Sequence, residues 1–169
     1  PLLDLQSTAS AIYLVRDPRD VAVSFAYHTN VSFDKAVTFM ASTRAMSKGE
    51  GEKVREFFSD WSTHVETWTT SQDLRLCILR YEDLKADPHG EFSRVVRFLN
   101  FPADAERVAR AVEFSAFDVA HKQEGRGHFK ERTRHGNPFF RQGQAGSAQR
   151  ELSPEQLAQI EHDHAAGMR

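Results

Sequence analysis

The sequence is poor in cysteine, since Cys77 is the single one among 169 residues. One thiol cannot form a disulfide within the chain, which is typical of a reducing compartment, and we expect a cytoplasmic location. The sequence also lacks any apolar run of about 18 residues, the length that a membrane-spanning helix needs. No methionine stands at the first position, which is Pro1, and we interpret the chain as part of a longer protein.

Positive charge is concentrated in one segment. Residues 121–150 contain seven Lys or Arg and two Glu, a balance of +5, whereas the rest contains 15 basic and 22 acidic residues, a balance of −7. Five of the nine glycines also lie in that segment. A basic, glycine-containing stretch favours a small anionic ligand, with a solvated loop as the alternative. Nucleic acid is not expected as a partner, because no basic surface runs through the other elements.

Short apolar runs alternate with helical patterns. Residues 11–15 and 74–79 are apolar runs of strand length, and both predict buried strands. Strands separated by helices predict a three-layer α/β/α fold with a parallel sheet. Two strands do not complete such a sheet, so we expect further strands before Pro1. No linker divides the chain, which predicts a single domain over residues 1–169.

Helix boundaries follow from capping residues. Asp17, Ser32 and Ser153 each precede a helical pattern and predict N-caps. Apolar residues recur at helical spacing from Val54 to Trp68, which predicts the longest helix. Lys122 to Ala145 shows no period and predicts a loop. The eight histidines are interpreted as structural or solvated rather than metal-binding.

An arginine directly follows the first predicted strand. Arg16 would lie at the carboxyl end of a parallel strand, where open α/β sheets bind ligands, and Ser24 follows eight residues later. A guanidinium offers a planar fork of donors for a phosphate, and a hydroxyl adds another donor. The alternative is that Arg16 pairs with Asp20 and that Ser24 bonds to the Asp20 carbonyl.

Five segments, in order along nearly the whole chain, form a recognisable set. They are the run from Val15 to Ser24, the helix with Trp61, His64 and Trp68, Arg80-Tyr81-Glu82-Asp83-Leu84-Lys85, Phe114-Ser115-Ala116-Phe117, and Phe139 to Gly146. Together they resemble the cytosolic-type sulfotransferase family, which uses 3′-phosphoadenosine 5′-phosphosulfate (PAPS). The resemblance implies a P-loop-kinase-like fold and a bacterial-like member that lacks its N-terminal strands.

The resemblance also implies how the cofactor is held. In that family an arginine and a serine hold the 3′-phosphate, a tyrosine lies near the adenine, an aromatic residue packs on it, and a glycine-containing loop closes over the phosphate. PAPS is therefore the implied cofactor, with adenosine 3′,5′-bisphosphate (PAP) as product and no metal. The implied cofactor-binding residues are Arg16, Ser24, Tyr81, Ser115, Phe117, Phe140, Arg141, Gln142 and Gly143.

The departures from the family concern catalysis and charge. The 5′-phosphosulfate loop and the general-base histidine are expected upstream of Pro1, so no catalytic residue is assigned, and the chain alone is expected to be inactive. Gln142 replaces the family's lysine, and Ala148 replaces its tryptophan. The implied reaction is sulfuryl transfer to a hydroxyl or amine of a small acceptor. Two alternatives stay open, a non-catalytic nucleotide-binding relative and a P-loop-type small-molecule kinase, while the acceptor and the oligomeric state are not determined.

Overall fold

The computed structural model describes residues 7–47, 49, 54–126 and 138–168. The described residues form two strands and nine helices. In chain order these are β1 (Ala11–Val15), α1 (Pro18–Thr29), α2 (Phe33–Met40), α3 (Trp61–Thr69), β2 (Leu76–Arg80), α4 (Tyr81–Ala86), α5 (Pro88–Phe98), α6 (Ala105–Phe114), α7 (Phe117–Gly125), α8 (Ala148–Glu151) and α9 (Pro154–Asp163).

The chain divides into two compact units. The sheet unit comprises Pro1–Arg16 and Gln72–Ala145, and the helical unit comprises Asp17–Ser71 and Gly146–Arg169. Compactness of two units does not decide whether each folds independently. A single domain over residues 1–169 therefore stays a prediction.

In the sheet unit the two strands pair in parallel, as predicted, with Val15 opposite Arg80. Side chains alternate between the two faces of a strand, so Cys77 and Leu79 point to one face. Both are buried there against Val95 of α5. Burial of this face accounts for Cys77 and Leu79, and the parallel pairing places the carboxyl ends of both strands at one edge of the sheet.

In the helical unit α1, α2, α8 and α9 surround one core. The predicted N-caps are confirmed: Asp17 accepts from the N–H of Arg19 at 2.9 Å, Ser32 caps α2, and Ser153 forms a capping box with Gln156. These caps satisfy N–H groups that a helix start would otherwise leave without partners. The buried core residues are Ala22, Val23, Val37, Met40, Ala148, Leu152 and Ile160.

The long helix predicted from Val54 to Trp68 is wrong in its first half. Helix α3 begins only at Trp61, because the Asp60 carboxylate caps it at the N–H of Thr63, 2.9 Å away. Directly upstream, Ser59 has a φ of 59°, which no right-handed helix accommodates. The apolar residues before and after Asp60 therefore belong to two separate segments and not to one helix.

The predicted loop from Lys122 to Ala145 is wrong over its first four residues. Helix α7 continues to Gly125, with Lys122 in its last turn. Residues 127–137 of that segment lie outside the described residues. The described part of the loop resumes at Pro138 and leads into α8.

Candidate functional site

The register of the sheet brings Arg16 and Tyr81 together. Val15 pairs with Arg80, so the next residue of each strand leaves the same edge of the sheet. The Arg16 guanidinium carbon lies 4.3 Å from the centre of the Tyr81 ring, a cation–π geometry. Two of the residues predicted for the site are thus neighbours at the carboxyl ends of adjacent parallel strands, where open α/β sheets bind ligands.

The same arginine contacts the glycine-containing loop. Nη2 of Arg16 donates to the carbonyl oxygen of Gln144 at 2.9 Å. Arg141 is half-buried and Gln142 is exposed on this loop. The structure therefore places the loop's backbone next to the strand end from which Arg16 projects.

Gly143 permits a close approach between the loop and an aromatic ring. Its φ is +61°, a backbone conformation that favours glycine, and a Cβ at this position would collide with the ring of Phe117. That ring also meets the ring of Phe140 edge-on, with centroids 6.2 Å apart. Three predicted site residues, Phe117, Phe140 and Gly143, thus form one cluster at the start of α7.

Glu124 is a residue of this region that the sequence reasoning missed. It lies in the last turn of α7, is 7% exposed, and its carboxylate accepts from the N–H of Phe139 at 2.6 Å and of Phe140 at 3.0 Å. A buried carboxylate needs such donors to offset lost hydration. The available signal was that Glu124 is one of only two acids in the basic segment of residues 121–150.

Two other predicted residues, Ser115 and Ser24, are exposed. Ser115 is exposed at the end of α6, where its N–H donates to the carbonyl of Ala111 at 3.0 Å. Ser24 is exposed on α1 and belongs to the helical unit. The grouping of Ser24 with Arg16 stays a prediction from the sequence.

The helical unit has its own buried carboxylate, Asp20, which the sequence reasoning considered only as a partner of Arg16 and Ser24. Asp20 is 2% exposed and accepts from the N–H of Gly146 at 2.6 Å, the N–H of Ala148 at 2.9 Å and the hydroxyl of Ser147 at 3.3 Å. Its carboxylate therefore stabilises the chain segment that leads into α8, within the helical unit.

The chemistry available in the sheet unit is binding chemistry. A guanidinium at a strand end suits an anion, and exposed or half-buried aromatic faces suit a planar ring. Among the described residues, no cluster of three His, Cys, Asp or Glu side chains is arranged to hold a metal ion. None of the described helices combines the length and apolarity that a membrane crossing requires.

Comparison with known proteins gives the family. The family model described as "Sulfotransferase domain" matches residues 4–168. A rat (Rattus norvegicus) protein, sulfotransferase 1 family member D1, is 26% identical over 164 residues, which are 93% of this chain and 54% of the relative. Sulfotransferase 2B1 of Mus musculus is 31% identical over 114 residues, 66% of this chain and 32% of the relative. The chain thus spans about half, or less, of these relatives.

Solved structures show the same fold. Retinol dehydratase in complex with androsterone and inactive cofactor PAP superimposes with a TM-score of 0.74 at 24% identity, covering 98% of this chain and 48% of that one. Mouse sulfotransferase SULT7A1 complexed with PAP gives 0.72 at 20% identity, covering 95% and 58%. The predicted α/β class with a parallel sheet is confirmed.

Proposed function

We propose that this chain, which belongs to the sulfotransferase domain family, binds the 3′-phosphate and adenine of PAPS in a protein that transfers the sulfuryl group to a small acceptor. The observation that carries the proposal is the position of Arg16. Its guanidinium stacks on Tyr81 at 4.3 Å and donates to the Gln144 carbonyl at 2.9 Å. One cation thus meets an aromatic face and a glycine-containing loop at the carboxyl edge of the parallel sheet.

The roles proposed for the phosphate side follow from charge and backbone geometry. Arg16 and Arg141 are the cations, and charge-assisted hydrogen bonds to phosphate are stronger than neutral ones. Gly143, at a φ of +61°, allows the loop backbone to turn close to an anion. Gln142 contributes no charge where the family has a lysine, and Ser24 is proposed as a further hydroxyl donor on the sequence resemblance alone.

The adenine side is proposed to be aromatic. Tyr81 lies beside Arg16, while Phe117 and Phe140 form the edge-on pair next to Gly143. Ser115 precedes Phe117 between α6 and α7 and would add a polar contact to the ring nitrogens. Flat apolar faces with a polar neighbour suit a purine, which stacks through its faces and forms hydrogen bonds through its edge.

The reaction proposed for the whole protein is an in-line transfer. When bound, PAPS would supply the sulfuryl group, a general base that is not assigned among the residues of this chain would take the proton of the acceptor hydroxyl or amine, and PAP would be the leaving group. The residues of this chain bind and orient the cofactor, which positions the reacting atoms, and no proton transfer is assigned to them. Family membership does not favour the kinase alternative. A cytoplasmic location stays a prediction.

Calorimetry with PAP on the full-length protein tests the proposal. Arg16→Ala should lower the affinity by roughly 2–5 kcal/mol, because a charged donor to the phosphate is lost. The matched control is Arg107→Ala, which removes an exposed arginine of α6 in the same unit and should leave affinity unchanged. Equal affinities of the two variants and the wild type would overturn the assignment of Arg16.

A further inference from the structure

The described start of the glycine-containing loop is held by a carboxylate and by ring contacts. Phe139 is 42% exposed, and its ring meets that of Phe140 with centroids 5.2 Å apart. Its N–H and that of Phe140 both donate to Glu124, one to each carboxylate oxygen, at 2.6 and 3.0 Å. Two backbone donors on one buried carboxylate fix the path of the chain at the described start of the loop.

Contacts connect this anchor to the glycine. Phe140, held through its N–H, places its ring edge-on against Phe117. The Phe117 ring in turn occupies the space that a Cβ at Gly143 would need. Three successive contacts thus connect Glu124 with Gly143, through Phe140 and Phe117, all within the sheet unit.

We propose that Glu124 is a positioning residue for the phosphate-binding loop: it does not touch the ligand, but holds Phe139 and Phe140 so that Arg141 and Gly143 are presented to the 3′-phosphate. This inference rests on the proposed function. It also gives a role to one of the two acids in a segment with a charge balance of +5. A negative charge there opposes anion binding by itself, yet it organises the donors that bind the anion.

The chemistry requires two acceptor oxygens. A glutamine of the same shape has one acceptor oxygen and one NH₂ group, which can only donate. In Glu124→Gln one of the two backbone N–H groups would face a donor and lose its bond. The substitution therefore tests the carboxylate with little change in side-chain volume. Glu124→Asp, which keeps both oxygens on a shorter side chain, should retain part of the wild-type affinity for PAP.

The first measurement is the dissociation constant for PAP in the full-length protein, well below the midpoint of thermal unfolding. We expect Glu124→Gln to weaken PAP binding about tenfold, the equivalent of one lost charge-assisted hydrogen bond. Glu124→Asp should weaken it less. The control is Glu113→Gln, an exposed glutamate on α6, which should bind PAP like the wild type. Wild-type affinity in Glu124→Gln would overturn the inference.

A double-mutant cycle separates positioning from a general structural role. If Glu124 acts through the loop, the loss caused by Glu124→Gln should shrink in an Arg141→Ala background, because the presented group is already missing. Additive losses would overturn the inference and leave Glu124 as a structural residue only. The proposed function is checked separately: a wild-type protein that binds PAP no better than adenosine 5′-monophosphate contradicts it, whatever Glu124→Gln does.

Discussion

The sheet unit and the helical unit differ in what holds them together. The helical unit has a core in which Ala22, Val23 and Ile160 are 0% exposed. Among the described residues, the buried cluster of the sheet unit consists of Cys77, Leu79 and Val95, while Ile12 and Leu14 of β1 remain 45% and 53% exposed. The difference teaches that apolar burial dominates in the helical unit, whereas specific polar contacts and a glycine shape the candidate site in the sheet unit.

The two buried carboxylates follow the same contrast. The Asp20 carboxylate accepts from the N–H of Ala148, and Ala148 is itself part of the helical core. Glu124 accepts from the N–H groups of Phe139, which is exposed, and Phe140, which is half-buried. Backbone donors are thus satisfied by a carboxylate in both units, and in the helical unit the same segment also contributes Ala148 to the core. We therefore expect that replacing a polar side chain such as Glu124 changes the conformation of the loop more than the stability of the sheet unit.

The largest predicted effect breaks the helical core. Ile160→Ala should lower the free energy of unfolding by about 2–5 kcal/mol, the usual cost of lost burial plus a cavity. The matched substitution Ile12→Ala, in the sheet unit, removes a side chain that is 45% exposed and should cost less than about 1 kcal/mol. Because the exposure of Ile12 refers to residues 1–169, urea unfolding of this chain with each substitution checks the comparison, and equal losses would contradict it.

A smaller effect is predicted at the loop. Gly143→Ala should cost roughly 1–3 kcal/mol of PAP affinity, because a Cβ is strained at positive φ and collides with the Phe117 ring. Gly125→Ala is the control, since a Cβ there meets nothing within 4 Å. It should leave PAP affinity unchanged. Calorimetry on both variants decides the matter, and equal affinities would show that the close approach of Gly143 is dispensable.

His164 is a buried titratable group of the helical unit. It is 1% exposed at the end of α9, with Nδ1 3.2 Å from the Ser62 hydroxyl and its ring edge-on to Trp61. Burial lowers the pKa of His164, against the opposing attraction of the Asp163 and Asp60 carboxylates. The folded state thus favours the neutral ring.

The smallest predicted effect follows from this shift. Because the pKa is lower in the folded state, the unfolded chain binds more protons once the pH falls below about 6.5, and the free energy of unfolding decreases until the folded-state pKa is passed. Burial also lowers the pKa of His64, so the wild type must be compared with His164→Gln, in which the decrease should be smaller. His162→Gln, at an exposed position, should retain the wild-type pH profile; identical profiles for all three proteins would contradict the prediction.

Much of the fold could be predicted because its signals are local. The apolar run at residues 11–15 predicted β1, and the capping residues Asp17, Ser32 and Ser153 marked three helix starts correctly. The long-helix prediction failed because apolar spacing alone does not detect a competing cap. Asp60 was that cap, and its carboxylate could have been recognised by the rule that correctly identified Asp17.

The candidate site could be predicted in part. The family motifs named Arg16, Tyr81, Phe117 and Gly143, and the structure brings these into two groups of neighbours within the sheet unit. Glu124 could not be assigned a role, since an acid in a basic segment has many possible partners. Whether Ser24 and Ser115 contact the cofactor stays a prediction.

The sequence by itself determined both strands, three of the helix caps, the asymmetric charge and the family resemblance, because each depends on residue types within short segments. Only the tertiary structure decided that Arg16 stacks on Tyr81 and that Glu124 holds the loop. The physical reason is that these contacts join residues far apart in the chain. Strand register sets the first, and the burial of one carboxylate beside two backbone N–H groups sets the second.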